Sequence, residues 1–312
     1  MTIRPLLFLM TLLAMPVHAW FLEIGTAGEY GKIRWDKDDY FSFADSKIRH
    51  TEGFATFLLK DIDTGAATPL AEAAYLQRTG HLNFRIHRNK NEPDNAETIH
   101  NDVVGFSTRI VIEETIIWHI AVEDRKHWQD GGQTNRDRYA AYGIGSYFRD
   151  NQNLIVTLHY RKTRESSDVQ IRQRQISVDY KNMMTLQPAG HHLFVGGRAI
   201  LGRSETQWMS GGEGASIGLG AYAHYYPLKN LGIRLALDRP VEIMQYDDVL
   251  STDIQEDTIR GEIGVDYFPL DSIRLTASVY GGLRNIQLEN DNDEEDTSAT
   301  LTGVNLGLAF RF

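Results

Sequence analysis

The chain has 312 residues, with 42 acidic against 32 basic side chains for a formal charge of −10, and no cysteine. That balance disfavours nucleic-acid binding, and an exported chain without cysteines has no disulfide scaffold, which leaves its stability to a core or a closed sheet. The mean hydropathy of −0.36 is that of an ordinary polar chain, and beyond Ala19 no apolar run reaches the roughly 20 residues that a membrane-crossing helix needs.

Residues 1–19 read as a secretory signal. Arg4 supplies a positive start, Leu6 to Met15 an apolar stretch, and Pro16 with Val17, His18 and Ala19 a break and a small-residue cleavage site. The mature chain is expected to begin at Trp20, and with no Ser/Gly-rich linker or composition shift it reads as one domain over 20–312.

From there the pattern is alternation. Large apolar residues recur at every second position in fourteen segments: 20–34, 45–61, 73–88, 98–112, 115–128, 137–148, 153–164, 169–182, 191–205, 214–226, 231–244, 255–268, 273–288 and 298–312. Period-two alternation marks strands with one apolar face. An even count returns both termini to one side; twelve and sixteen are the alternatives, because the pattern blurs before residue 100.

Several segments end in an aromatic pair followed by a short Pro-, Asn- or Asp-bearing turn: Tyr147-Phe148, Tyr225-Tyr226 and Tyr267-Phe268. With Tyr180 and the terminal Phe310 between and after them, these aromatics recur about every 40 residues and are expected to form an aromatic girdle at one membrane interface. A period near 40 also suits a β-propeller, but no Gly-His or Trp-Asp signature repeats. The other connections are mostly longer and more charged; the extreme case, residues 290–296, lacks the central glycine and final glutamate of a calcium loop. The last strand alternates Val304, Leu306, Leu308, Phe310 and Phe312 with small or polar residues and stops on the aromatic.

Short turns on one side, longer polar loops on the other and strands of alternating character are the pattern of an all-β, antiparallel, up-and-down transmembrane barrel of about 14 strands. The terminal aromatics Phe310 and Phe312 resemble the signal that outer-membrane barrels of Gram-negative bacteria present to their assembly machinery. The stretch Pro69-Leu70-Ala71-Glu72-Ala73-Ala74-Tyr75-Leu76-Gln77-Arg78 is similar to one near the second turn of a family of general bacterial porins. The resemblance implies an outer-membrane barrel and brings no catalytic residue with it. Read physically, the same alanine-rich run equally suits a helical turn at the periplasmic mouth.

Strand phase then sorts the charges. With Ile263 and Val265 facing lipid, Arg260, Glu262 and Asp266 face inward, because arginine or lysine on the lipid face at mid-bilayer costs roughly 2–4 kcal/mol. The same reasoning makes Arg85, Arg109, Glu123, Arg161, Arg198, Arg234, Asp238 and Arg274 pore-lining. Their mixed signs fit either a water-filled channel or a salt-bridged, nearly closed lumen.

Catalysis and metals find little support. No histidine is followed two residues on by serine, as in outer-membrane phospholipases and deacylases, and no Asp-x-His occurs. His191 and His192 are adjacent, so in a strand they point to opposite faces. The reading is therefore an outer-membrane porin, not an enzyme: a passive channel for ions and small hydrophilic solutes. No catalytic residue, cofactor or metal is expected. Its expected partners are membrane lipids, the assembly machinery and, with no distinctive interface stripe, a homo-oligomer at most. The alternatives are a non-conducting barrel acting as scaffold, adhesin or receptor through its outer loops, and a soluble exported β-protein.

Overall fold

The computed structural model describes residues 19–36, 44–63, 69–94, 96–130, 132, 134–149, 151–164, 170–186, 191–207, 212–246, 253–289 and 294–312. Residues 1–18 of the signal segment 1–19 and residues 290–293 of the acidic connection 290–296 lie outside the described residues; Ala19 opens the first strand and 294–296 belong to the last.

Fourteen strands alternate up and down: β1 Ala19–Trp35, β2 Ser46–Asp63, β3 His81–Pro93, β4 Ile99–Ile112, β5 Ile116–Gln129, β6 Thr134–Tyr147, β7 Gln152–Arg164, β8 Gln170–Leu186, β9 His191–Gln207, β10 Gly212–Leu228, β11 Leu231–Tyr246, β12 Asp253–Leu270, β13 Ile273–Glu289 and β14 Glu294–Arg311. Each pairs antiparallel with its sequence neighbours, and β1 pairs with β14, so the sheet closes with no free edge. The fourteen-strand barrel expected from the alternation is thus the fold.

Turn chemistry explains the tight ends. Glu113 and Glu114 both have positive φ, 50° and 55°, the backbone of a type I′ hairpin, whose twist matches that of the flanking strands. At 3.3 Å per residue, the 18 residues of β12 extend roughly 60 Å, well beyond a hydrocarbon core that 9–11 tilted residues cross.

The outward positions carry the apolar side chains. Phe84 and Ile86 on β3, Val104 on β4, Trp118 and Ile120 on β5, Leu158 on β7, Leu201 on β9, Leu219 on β10, Ile263 on β12 and Leu306 on β14 are all exposed. An apolar belt around a whole closed barrel far exceeds the few hundred Å² that soluble monomers expose. It is the lipid-facing surface of a transmembrane protein.

One expectation needs correcting. The third strand begins at His81, not at residue 73: the alanine-rich run forms a 3₁₀ turn, Leu70–Glu72, that continues into an α-turn, Ala73–Leu76, together called α1. Pro69 precedes the first turn with φ already at −57°, alanine is the strongest helix former, and Arg78, at φ 51°, ends the segment in the left-handed conformation common after helices. The helical alternative for this run is therefore the one adopted.

Candidate functional site

The lumen follows from strand parity. Arg85, Arg109, Glu123, Arg161, Arg198, Arg234, Asp238, Arg260, Glu262, Asp266 and Arg274 all fall on the register positions that face inward, opposite in parity to the exposed apolar residues of their strands.

Most of these charges are paired along the wall. Arg85 and Arg125 both bond Glu123, the latter at 2.7 Å. Arg161 donates to Asp137 at 2.6 Å, and His127 lies 3.1 Å from the same carboxylate. Arg198 bonds Asp179, and Arg234 donates to Glu262 at 2.6 Å. Arg260 stacks 3.9 Å above the Tyr280 ring, with Glu29 and Glu262 each 3.9 Å away. Arg274 bridges Asp266 at 2.9 Å and Glu23 at 3.6 Å, and Arg311 donates to Glu23 at 2.6 Å.

Arg109 differs. Its guanidinium donates to the Tyr147 hydroxyl at 2.9 Å, its buried Nε has no partner among the described residues, and no carboxylate there forms an ion pair with it. Register sets it beside His81 on one side and His119 on the other. The three border a cavity of about 490 Å³ that Arg85, Glu123, Asp179 and Arg198 also line.

The periplasmic end is crossed by α1. Leu70 takes the carbonyl of Lys229, in the β10–β11 turn, on its N–H (3.0 Å), and gives its own carbonyl to Arg311 of β14 (3.1 Å). The Tyr75 hydroxyl donates to the Asn151 carbonyl, in the β6–β7 turn, at 3.0 Å. Arg78 donates to the carbonyls of Glu114 and Arg149 at 2.9 and 3.2 Å. The segment thus leaves β2, touches walls on several sides of the mouth and returns to β3.

Its pin is Glu72, a carboxylate 6 % exposed. Lys181 of β8 bonds one oxygen; His224 Nδ1 and the Tyr226 hydroxyl, both on β10, lie 3.1 Å from the other. Burial alone would raise its pKa, but Lys181 and the hydrogen bond with His224 overcome that and hold it at about 2. The neighbouring Tyr75 hydroxyl is pushed upward by burial. Around this pin sits an apolar cluster inside the barrel: Tyr75, Ile117, Tyr147, Phe194 and Tyr226.

That cluster corrects the expected girdle. Phe148 and Tyr267 are exposed on the outer face, and the half-buried Tyr225 meets His191 through its hydroxyl at 2.6 Å. Tyr147, Tyr226 and Phe268 are instead 5 %, 2 % and 2 % exposed and turn inward. Adjacent residues of a strand point to opposite faces, so each pair gives one ring to the lipid interface and one to the bed under α1. Arg311 stacks 4.6 Å above Phe268 there. Phe310 holds an outward position on β14, and the backbone of Phe312 pairs with Phe21 and Leu22.

Sequence reasoning passed over Glu23, Asp137, Asp179, Lys181 and Arg311, although strand phase alone would have placed them inside. It also missed a pair that only register reveals: His159 Nε2 on β7 lies 2.8 Å from Ser177 Oγ on β8. Among the described residues no cluster of three His, Asp or Glu side chains could hold a metal ion.

No family model matches the sequence, and no curated protein matches it. Solved structures do resemble the barrel. Omp33, an outer membrane protein of Acinetobacter baumannii, aligns at a TM-score of 0.50 over 95 % of this chain and 99 % of its own, at 13 % identity. A deletion mutant of TodX, a monoaromatic hydrocarbon channel, aligns at 0.53 over 94 % and 90 %, at 8 % identity. At such identities the likeness is one of fold, and with the apolar exterior it makes this chain a transmembrane β-barrel of the bacterial outer-membrane type.

Proposed function

We propose that the barrel is a passive diffusion channel for ions and small hydrophilic solutes, and not an enzyme. The observation that carries this reading is the charged interior cavity of about 490 Å³ within a closed, apolar-jacketed sheet. The inward arginines and carboxylates would set selectivity, with Arg109, free of a carboxylate partner among the described residues, weighting the interior toward anions. His159 and Ser177 give no catalytic step: Ser177 is 1 % exposed and also hydrogen-bonds Asp179 at 3.1 Å, so its hydroxyl is closed to a substrate. Phe310 and Phe312 serve, on this reading, as the handle for the assembly machinery.

One observation favours a second reading. With α1 lying across the periplasmic mouth, the barrel would be a non-conducting scaffold or receptor that works through its outer loops. Single-channel recording of the refolded chain in a planar bilayer under a salt gradient separates the two. Discrete steps with a measurable reversal potential support the channel; silence from a barrel shown to be folded by heat-modifiable migration supports the scaffold.

A further inference from the structure

The outer surface of β6 to β9 changes character abruptly toward the loop end. The register row Tyr142–Leu158–Ile176–Leu201 is apolar throughout. Two residues on, about 7 Å along the strands, the row reads Ala140–Tyr160–Arg174–Arg203, with Tyr160 exposed at the level where interfacial tyrosines sit. Another two residues on it reads Arg138–Lys162–Arg172–Glu205, with Asp124 of β5 opposite Arg138, and beyond that Arg136 faces Arg164. All these side chains have the outward parity.

Like charges directly opposite one another on neighbouring strands are destabilising, because their Cβ atoms lie about 5 Å apart. Two of the seven cations are neutralised within the sheet: Arg136 by Asp124, at 2.6 Å, and Arg203 by Glu213, at 2.5 Å. Arg138, Lys162, Arg164, Arg172 and Arg174 form no close ion pair among the described residues, although Asp124 stands opposite Arg138 and Glu205 opposite Arg172, and the Nε of Arg172 is buried there without a hydrogen bond. Toward the loop end of β12 to β14 the outward positions hold Gln255, Asn285, Gln287 and Asp296, and Arg239 on β11 is tied to Asp257 by two bonds of 3.2 and 2.7 Å; a smaller outward group, Lys32, Arg34 and Lys47, lies on β1 and β2.

Among the described residues these rows hold seven cations against Asp124, Glu205 and Glu213, so in a chain of net charge −10 this face, immediately above the lipid-facing band, keeps a local positive excess that suits an anion from outside the protein. Height selects the anion: the patch stands at headgroup level on the side of the barrel away from the termini, which is the external leaflet. Side-chain type narrows it, since the arginine fork matches phosphate bidentately. We infer that the outer face of β6 to β9 is a binding site for a phosphorylated lipid headgroup of the external leaflet, carrying two or more negative charges and held chiefly by Arg138, Lys162, Arg172 and Arg174. The site is independent of whether the lumen conducts.

Native mass spectrometry of the refolded barrel in neutral detergent tests this, with a bis-phosphorylated glucosamine disaccharide lipid and its dephosphorylated form as probes. The wild-type barrel is expected to retain the phosphorylated lipid, to lose it as salt rises, and to ignore the dephosphorylated one. Replacing the four residues together (R138Q, K162Q, R172Q, R174Q) is expected to weaken retention at least about tenfold, whereas Arg239→Gln leaves it unchanged. Equal retention of both lipids by the wild type, or of the phosphorylated lipid by the quadruple variant, overturns the proposal. So do lipid-free dimers that vanish in the variant, which would make the patch a contact between two barrels. Should the variant fail to fold, the comparison of the two lipids on the wild-type barrel still decides.

Discussion

Arg311, on the last strand, donates to Glu23, on the first, at 2.6 Å inside the barrel, and both residues are under 10 % exposed. The pair bridges the seam where β14 meets β1. Removing one partner of a buried ion pair leaves an uncompensated charge, which costs roughly 3–5 kcal/mol. Glu23→Gln and Arg311→Leu should each lower the urea midpoint of the barrel in lipid vesicles. The double variant should lose less than the sum, since it leaves no orphan charge.

Glu72 gives a prediction in pH. Its carboxyl titrates near 2 when docked, against an ordinary 4.5 when free. A depressed folded-state pKa contributes stability that is complete above the free value and is lost as pH falls through the docked value. The α1 segment should therefore stay seated from pH 8 to 5 and release progressively between about 4.5 and 2. Conductance followed against pH gives the readout; release already complete at pH 6 would contradict the latch.

Loss of the latch should be visible at neutral pH as well. Glu72→Gln keeps the shape but leaves Lys181 without its counter-charge, and deletion of 69–79 removes the crossing altogether. On the channel reading, both should raise single-channel conductance, the deletion more than the point change. Equal conductance in all three would mean that α1 does not obstruct the path.

Selectivity should depend on how each arginine is compensated. Arg109 has no carboxylate partner among the described residues, so Arg109→Gln should move the reversal potential toward cations by itself. Arg234 and Arg260 share Glu262, so the double change to glutamate should produce a larger shift in the same direction. Reversal potentials unchanged under a tenfold salt gradient would exclude all three from the conducting path.

Tyr280 lies over two glycines. A Cβ at Gly303 would fall 2.3 Å from Tyr280 Cζ, and one at Gly31 would fall 2.1 Å from its hydroxyl. Gly303→Ala must lift the ring and with it the stacked Arg260, at about 1–3 kcal/mol for overpacking. Tyr280→Ala in the same chain should recover part of the loss, measured as a double-mutant cycle of urea midpoints.

What could be read from the sequence followed the periodicity. Alternation gave strand number and the inward face of residues such as Arg234 and Asp266, since period two is a local property. It failed where local preference and distant partners diverge. The run 69–78 carries helix-forming alanines, and its seat depends on Lys181 and Tyr226, more than 100 residues away. The aromatic pairs look like a unit in the sequence, although parity divides them. The rows Arg138–Lys162–Arg172 and His81–Arg109–His119 exist only once register aligns neighbouring strands, and no stretch of sequence displays them.

The carbonyl of Leu70 accepts a hydrogen bond from Arg311, which ties α1 to the final strand. A segment synthesised among the first hundred residues therefore has no complete seat until the last residues are in place. During biogenesis the barrel must pass through a stage with its inner end uncovered, and the cap can settle only after the seam has zipped. Seating of α1 then becomes a report, written in the periplasm, that the cylinder is finished.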